Sequence, residues 1–142
     1  MTRLEQIAAV EAANRAFYQA LETRALDRME AVWDVTDDVT CVHPGWHRLD
    51  GWDEVRRSWK AIFASSRAWT VSCEQVRVRV ADEFASVTCV EVILPFGGKQ
   101  AESAARMQAT NLFARRDGRW RMIHHHASPY RSDAGATDEP VN

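Results

Sequence analysis

The sequence lacks a long hydrophobic run and an excess of either charge. No apolar run approaches the roughly 18 residues that span a bilayer, so we expect no membrane partner. Lys and Arg total 18 against 20 Asp and Glu, and the net charge of -2 provides no basic excess for binding nucleic acid. Because no basic segment followed by an apolar stretch stands at the N-terminus, we expect no signal peptide.

Cysteine is also scarce, and its pattern excludes a disulfide framework. The three cysteines, Cys41, Cys73 and Cys89, are scattered and form no C-x-x-C pair. We therefore predict reduced core residues in a cytoplasmic protein. The length of 142 residues fits one domain, which we place at residues 1–130. The tail, 131–142, lacks apolar anchors and is predicted to be disordered.

Three amphipathic segments predict helices at 3–24, 26–34 and 51–65. In the first segment, apolar residues recur at steps of three and four. The third segment begins after Asp50, which occupies the expected N-cap position, and has acidic residues in its first turn. One face of this helix is strongly apolar and carries Trp52, Val55, Trp59, Ile62 and Phe63.

The rest of the chain has the two-residue period of β-strands. A short strand is predicted at 39–42, and longer strands at 69–80, 84–94, 101–115 and 119–127, with a loop at 95–98. A change of parity near Glu74 and Gln75 predicts a β-bulge. This order of elements indicates an α+β domain, in which helices lie against one face of a long, bent antiparallel sheet.

The last hairpin allows side chains to be assigned to faces. Asp117 and Gly118 are typical of a two-residue turn, so Arg116 should pair with Arg119. This register predicts a helix-facing set that comprises Met107, Ala109, Asn111, Phe113, Trp120, Met122, His124 and His126. The outer set would be Arg106, Gln108, Thr110, Leu112, Ile123 and His125. The inward polar groups would either bond to one another or line a pocket.

Several segments resemble a known family. TNLFARRDGRWRMIHHHASP (110–129) resembles the last hairpin of the association domain of calcium/calmodulin-dependent protein kinase II. CVHPGW and LDGWDEVRRSWKAIF resemble that family's Pro-containing strand end and third helix. FYQALETRALDRMEAVW is similar to the wider nuclear transport factor 2-like superfamily, which includes SnoaL-like polyketide cyclases and ketosteroid isomerases. The resemblance implies a cone-shaped sheet wrapped around the long first helix, with a deep pocket and a homodimer across the outer face of the sheet.

The resemblance to ketosteroid isomerases implies a position for a general base. Their base is an Asp immediately before a Pro, and the matching residue here is His43, before Pro44. Their oxyanion-binding Tyr matches Phe17, which has no donor. Tyr18 is one residue away, and a helix turns it about 100° from Phe17.

The resemblance to the kinase association domain implies a pocket with fewer cations. Two arginines of its carboxylate-binding pocket match Asn111 and Ala127, and a pocket His and Trp match Val55 and Phe63. The loss of these groups favours a neutral or aromatic ligand over a carboxylate.

Candidate site residues follow from these observations. His43 and His126 are candidate proton carriers, because imidazole exchanges protons near neutral pH. Trp46 follows the Pro-Gly turn and is a ligand contact or a lid, and Glu91 interrupts an apolar strand as an inward carboxylate or as a partner of Arg106. The full set of predicted ligand-binding residues is Tyr18, Trp46, Phe63, Glu91, Asn111 and His124.

Histidine spacing also raises the question of a metal. His43 and His47 are separated by a Pro-Gly turn, whereas His124 and His126 would share one face of a strand, as in some zinc sites. No carboxylate or cysteine is spaced to complete a ligand set, so we expect neither a metal nor a cofactor.

Two functions remain open from the sequence. The first is a dimeric protein that binds a small hydrophobic molecule, without catalysis or with an unknown activity. The alternative is a cofactor-free isomerase, cyclase or lyase acting on a small hydrophobic carbonyl compound, with His43 as general base.

Overall fold

A computed structural model describes residues 1–96 and 104–130, and within them the α+β class is confirmed. The helices are α1 (Arg3–Thr23), α2 (Leu26–Val32) and α3 (Trp52–Ser65). The strands are β1 (Thr40–Val42), β2 (Leu49–Asp50), β3 (Trp69–Ala81), β4 (Phe84–Pro95), β5 (Ala105–Arg116) and β6 (Arg119–Pro129). The predicted tail at 131–142, the end of the predicted loop at 97–98 and the predicted strand start at 101–103 lie outside the described residues.

The sheet differs from the prediction in one pairing. Its strand order is β2-β1-β6-β5-β4-β3, and the long strands pair antiparallel as predicted. However, β1 runs parallel to β6, so the sheet is mixed and not wholly antiparallel. The two-residue strand β2, which pairs with β1, was not predicted because it is too short to have a recognisable period.

Helix α1 packs across the sheet and supplies much of the core. It begins with a capping box in which Thr2 and Glu5 bond each other's backbone N–H groups. Its buried stripe includes two polar residues, Asn14 and Tyr18, among apolar ones. Phe17 lies between them and is fully buried, with its ring edge against Tyr18 and Trp59.

Helix α3 begins one residue later than its predicted cap. Gly51 is the N-cap and has a φ of 83°, a backbone conformation that glycine adopts without strain. The predicted N-cap, Asp50, belongs instead to β2, because its backbone pairs with Thr40 of β1. Its carboxylate forms an ion pair with Arg48. The apolar face is buried as expected at Trp52, Val55 and Trp59.

Two β-bulges decide which side chains face α1. The predicted bulge in β3 is confirmed, since the register shifts between Glu74 and Arg77 and Gln75 has a φ of 53°. A second bulge, which was not predicted, lies in β6 opposite the step from Leu112 to Phe113. Between the hairpin turn and this bulge the predicted register holds. Beyond the bulge, every side chain of β6 lies on the face opposite to the predicted one.

No helix of residues 1–96 and 104–130 is both long and apolar enough to cross a membrane.

Candidate functional site

A cavity of about 250 Å³ opens between the end of α1, α3 and the sheet. Its walls are mainly aromatic and aliphatic, with three polar side chains among them. The described residues that line it are Leu21, His43, Pro44, Trp46, Trp59, Ile62, Trp69, Glu91, Ile93 and His125. No Lys or Arg is among these lining residues.

Glu91 is a buried carboxyl group in the wall of this cavity. It is 3% exposed, and the Tyr18 hydroxyl donates to its Oε2 at 2.7 Å. Burial raises the pKa of Glu91 from 4.5 to about 7, against the smaller lowering effect of the Tyr18 hydrogen bond. The predicted inward orientation is therefore observed, and Arg106, the alternative partner, pairs with Glu74 instead.

Asn111 links Tyr18, the hydrogen-bond partner of Glu91, to His125 of β6 through a buried hydrogen-bond network. Its Nδ2 donates to Asn14 Oδ1 at 2.9 Å and to the Tyr18 hydroxyl at 3.1 Å. Its Oδ1 accepts from His125 Nδ1 at 2.6 Å. Both polar atoms of the Asn111 amide thus have partners inside the protein, as burial requires.

His125 places its other nitrogen near Glu91. Its Nε2 lies 3.8 Å from Glu91 Oε2, and both side chains are 3% exposed. Burial, together with the charges that His43, His124 and His126 would carry, holds the pKa of His125 well below 6.5. The imidazole is therefore neutral at physiological pH.

His43 is the third polar group of the cavity, and it is also neutral. It follows β1 directly, and its Nε2 is 2.8 Å from the Ser58 hydroxyl of α3. That hydroxyl donates to the Val55 carbonyl at 2.6 Å, so it accepts from His43 Nε2. Burial lowers the pKa of His43 from 6.5 to about 4. Trp46 and Trp59 pack their rings against it, with centroids at 4.9 and 4.6 Å.

The predicted inward orientation of His124 and His126 is wrong. The bulge in β6 turns both residues to the outer face and turns His125 inward. His124 is half-buried and its Nδ1 lies 2.7 Å from the Thr40 hydroxyl, while His126 is exposed. Neither lines the cavity, so no observation brings His126 to the site as a proton carrier.

The other predicted site residues are placed in three ways. Trp46 is 44% exposed and lies at the edge of the cavity. Tyr18 and Asn111 do not line this cavity but support its wall through the hydrogen bonds described above, and Tyr18 lines a separate cavity of about 380 Å³ between α1 and β3. Phe63 packs on Trp59, with ring centroids 5.7 Å apart, and is not a lining residue.

Two residues of the site, His125 and Ser58, were not predicted from the sequence. A bulge inside β6 has no sequence signature here, because three consecutive histidines look the same in either register. Asn14 did carry a signal, since it is a polar residue on the apolar stripe of α1. Trp59, assigned to the core, is both buried and a wall of the cavity.

No three metal-ligating side chains come together within residues 1–96 and 104–130. The expectation of a metal-free site stays a prediction.

Comparisons with known proteins place the chain in a family. The sequence pattern of the SnoaL-like domain matches residues 10–132, and the chain therefore belongs to the SnoaL-like domain family. Its structure has the NTF2-like fold, and its structural neighbours include calcium/calmodulin-dependent protein kinase II association domains, which confirms the resemblance.

Two solved structures illustrate the similarity. An NTF2-like protein from Streptomyces avermitilis, described as a candidate dehydratase, is 35% identical with a TM-score of 0.83, over 92% of this chain and 100% of that one. A candidate kinase II association domain from Thiobacillus denitrificans is 33% identical with a TM-score of 0.78, over 85% and 94%.

A curated relative is the F-box protein SKIP8 of Arabidopsis thaliana. It is 31% identical over 120 residues, which make up 84% of this chain and 49% of that protein. The chain thus spans about half the length of this relative.

The raised pKa of Glu91 predicts a pH-dependent stability. Because folded Glu91 holds its proton up to about pH 7, whereas the unfolded carboxyl loses it near 4.5, this group makes the folded state less stable as the pH rises from about 4.5 to about 7. Relative to Glu91→Gln, the wild-type free energy of unfolding should fall by about 2–3 kcal/mol between pH 5 and pH 8. Urea unfolding at both pH values measures this difference.

Glu30→Gln is the matched control, since Glu30 forms an exposed ion pair with Arg56. It should track wild type across the range. Parallel stability curves for wild type and Glu91→Gln would contradict the assignment of a raised pKa to Glu91.

Proposed function

We propose that the protein binds a small, uncharged and largely hydrophobic molecule in the cavity, and that polar side chains of the wall bond to an oxygen of that molecule. The observation that carries this proposal is the composition of the wall. Apolar side chains surround three polar groups, Glu91, His125 and His43, and all three are almost fully buried. Concave, mainly apolar sites with a few convergent polar groups are typical of small-molecule binding.

The electrostatics of the wall disfavour an anionic ligand. Both histidines are neutral at physiological pH, and the one acidic group has no cationic partner among the described lining residues. A buried anion would therefore stand beside Glu91 without compensation, which is costly in a site of low polarity.

Trp59 supports the presence of an oxygen atom on the ligand. Its indole N–H is buried and has no acceptor among residues 1–96 and 104–130. Buried donors are normally paired. Because Trp59 lines the cavity, a ligand carbonyl or hydroxyl is a suitable partner for it.

The cavity volume sets the size of the molecule. At about 250 Å³ it is smaller than the roughly 300–1,000 Å³ usual for drug-sized ligands. A compound of one or two rings fits this space, and aromatic walls at Trp46, Trp59 and Trp69 suit a ring.

Binding of a neutral and a charged probe of the same shape tests the proposal. At pH 7.5 we expect 2-naphthol to bind and 2-naphthoate to bind at least about tenfold more weakly, because a carboxylate loses its hydration beside Glu91. Tryptophan fluorescence reports binding directly, since three of the six tryptophans line the cavity.

Two neighbouring substitutions provide the matched control. Ile93→Phe fills the cavity and should abolish 2-naphthol binding. Val92→Phe enlarges the adjacent residue of β4, which is not a lining residue, and should leave binding unchanged. If neither naphthalene binds, or if 2-naphthoate binds better, the proposal is wrong.

A cofactor-free isomerase, cyclase or lyase is the second candidate. It is favoured by titratable groups of strongly perturbed pKa in one cavity, a common property of sites that transfer protons. Glu91, with a pKa of about 7, is better matched to exchange at neutral pH than His43, at about 4. The description of the Streptomyces avermitilis relative as a candidate dehydratase agrees with such chemistry.

Deuterium exchange into 2-tetralone tests this candidate. A base in the cavity would remove a proton next to the carbonyl, and a deuteron from D₂O would replace it. We expect exchange above the buffer rate, reduced at least about tenfold in Glu91→Gln. A larger loss in His43→Gln would instead identify His43 as the base, and exchange at the buffer rate would leave this candidate without support.

We also propose that the protein is a homodimer through the outer face of the sheet. The bulge in β6 changes the predicted surface, since His124 and His126 replace His125 beside Gln108, Thr110 and Leu112. Thr110, Leu112 and His124 are half-buried in the single chain, and a stable interface would cover at least about 1,000 Å² in total.

Leu112→Glu should dissociate this dimer, because it would bury an unpaired charge in the interface. Light scattering at micromolar concentration should then give the monomer mass, while Val76→Glu, on exposed β3, should keep the dimer mass. A monomeric wild-type protein would contradict the proposed dimer.

A further inference from the structure

We propose that the protonated carboxyl of Glu91 and the neutral imidazole of His125 form a donor–acceptor pair at the cavity wall, and that a hydroxyl group of the bound molecule bonds to both. The hydroxyl would donate to His125 Nε2 and accept from the protonated carboxyl of Glu91. This inference rests on the proposed function and specifies the chemical class of ligand that the cavity takes, an alcohol or a phenol.

The hydrogen bonds of Asn111 fix the tautomer of His125. Asn111 has two donor hydrogens on Nδ2, and both are used, one by Asn14 Oδ1 and one by the Tyr18 hydroxyl. The other end of the amide, Oδ1, therefore faces His125 and can only accept. His125 Nδ1 must carry the hydrogen of this 2.6 Å bond. Because the ring is neutral, its Nε2 has no hydrogen and is an acceptor.

The neighbours of Glu91 determine whether its carboxyl group carries a proton. The Tyr18 hydroxyl accepts from Asn111, so its own hydrogen is free to donate to Glu91 Oε2, at 2.7 Å. When ionised, Glu91 would thus present acceptor atoms toward His125 Nε2, which is also an acceptor, at 3.8 Å. Two acceptors face each other with no donor between them unless one proton is added to the pair.

The surroundings of the pair place that proton on the carboxyl. Among the described residues, the titratable groups around the pair are His43, which lines the same cavity, and Tyr18 of α1, Cys41 of β1, Cys73 of β3 and Cys89 of β4. None of these is a permanent cation that would stabilise a carboxylate. Burial raises the pKa of Glu91, and it keeps His125 neutral.

The separation of 3.8 Å is the reason to infer a hydroxyl. This distance exceeds the length of a direct hydrogen bond, so the carboxyl proton does not bond to His125 Nε2 and is available to a ligand. The pair then offers one donor and one acceptor side by side at the cavity wall. A hydroxyl has one donor and acceptor lone pairs and satisfies both, whereas an ether or ketone oxygen can only accept.

The unliganded protein tests the tautomer without any ligand. In ¹⁵N spectra of histidine-labelled protein, we expect His125 Nδ1 to be protonated and Nε2 to be unprotonated at pH 6 to 7. The signals are assigned from their loss in His125→Gln. A proton on Nε2 would overturn the inference, since Nε2 could then not accept from a ligand.

Three naphthalenes test the ligand class. At pH 6, where Glu91 holds its proton, we expect 2-naphthol to bind about tenfold tighter than 2-methylnaphthalene, which has the same shape without hydrogen bonds, and than 2-methoxynaphthalene, which keeps the oxygen without a donor. Binding of 2-naphthol should also shift the Nε2 signal of His125 and leave that of Nδ1 in place. Equal binding of all three compounds would overturn the inference while leaving the proposed hydrophobic cavity intact. Absence of binding by all three would overturn both.

Glu91→Gln provides a variant of nearly the same shape. Its amide oxygen can accept from Tyr18 in the place of Oε2, which is also the Glu91 atom nearest His125 Nε2, so the variant has no proton there to donate to a ligand hydroxyl. The preference for 2-naphthol over 2-methylnaphthalene should fall to about twofold or less. Glu30→Gln, the same change in an exposed ion pair, should leave the preference at its wild-type value. An unchanged preference in Glu91→Gln would contradict the role of the Glu91 proton, and the comparison of ligands on wild type stands even if this variant does not fold.

Discussion

The hydrogen bonds of Asn111 are the constraint on which the rest of the site depends. This residue is fully buried on β5, and its amide bonds twice to α1 and once to β6. A buried amide that loses its partners costs about 1–3 kcal/mol, so the relative position of these three elements is held to the hydrogen-bonding geometry. The same bonds fix the orientation of Tyr18 and His125, and through Tyr18 they fix Glu91.

Desolvation is the dominant electrostatic effect throughout this region. It is the largest cause of the raised pKa of Glu91 and of the lowered pKa values of His43 and His125. All three shifts favour the neutral form of the group. A cavity that combines tryptophan walls with polar groups biased toward their neutral forms therefore offers hydrogen bonds with little charge, which is the physical basis of the proposed ligand preference.

The family alone does not assign a function to this chain. Two relatives with different descriptions, a candidate dehydratase and a candidate kinase association domain, both have structures similar to that of this chain. A shared fold supplies the cavity, and the side chains within it decide the chemistry. The proposals above accordingly rest on Glu91, His125, His43 and Trp59 and not on the fold.

Local sequence patterns by themselves determined most of the elements of this protein. The periods of three to four and of two residues predicted α1, α2, α3 and the long strands, and Asp117-Gly118 predicted the hairpin, because these features depend on neighbouring residues along the chain. The inward carboxylate at Glu91 also followed from the pattern of β4. The parallel contact of β1 with β6 did not, since it joins segments far apart in sequence.

Only the tertiary structure decided which histidine faces the cavity. A one-residue bulge in β6 reverses every side chain beyond it, and so replaces His124 and His126 by His125. All three are histidines, so the sequence has no apolar alternation at this point that could indicate the register. The choice is made by packing, because the Phe17 ring packs against the His125 ring, with centroids 4.8 Å apart, and Asn111 supplies its hydrogen-bond partner.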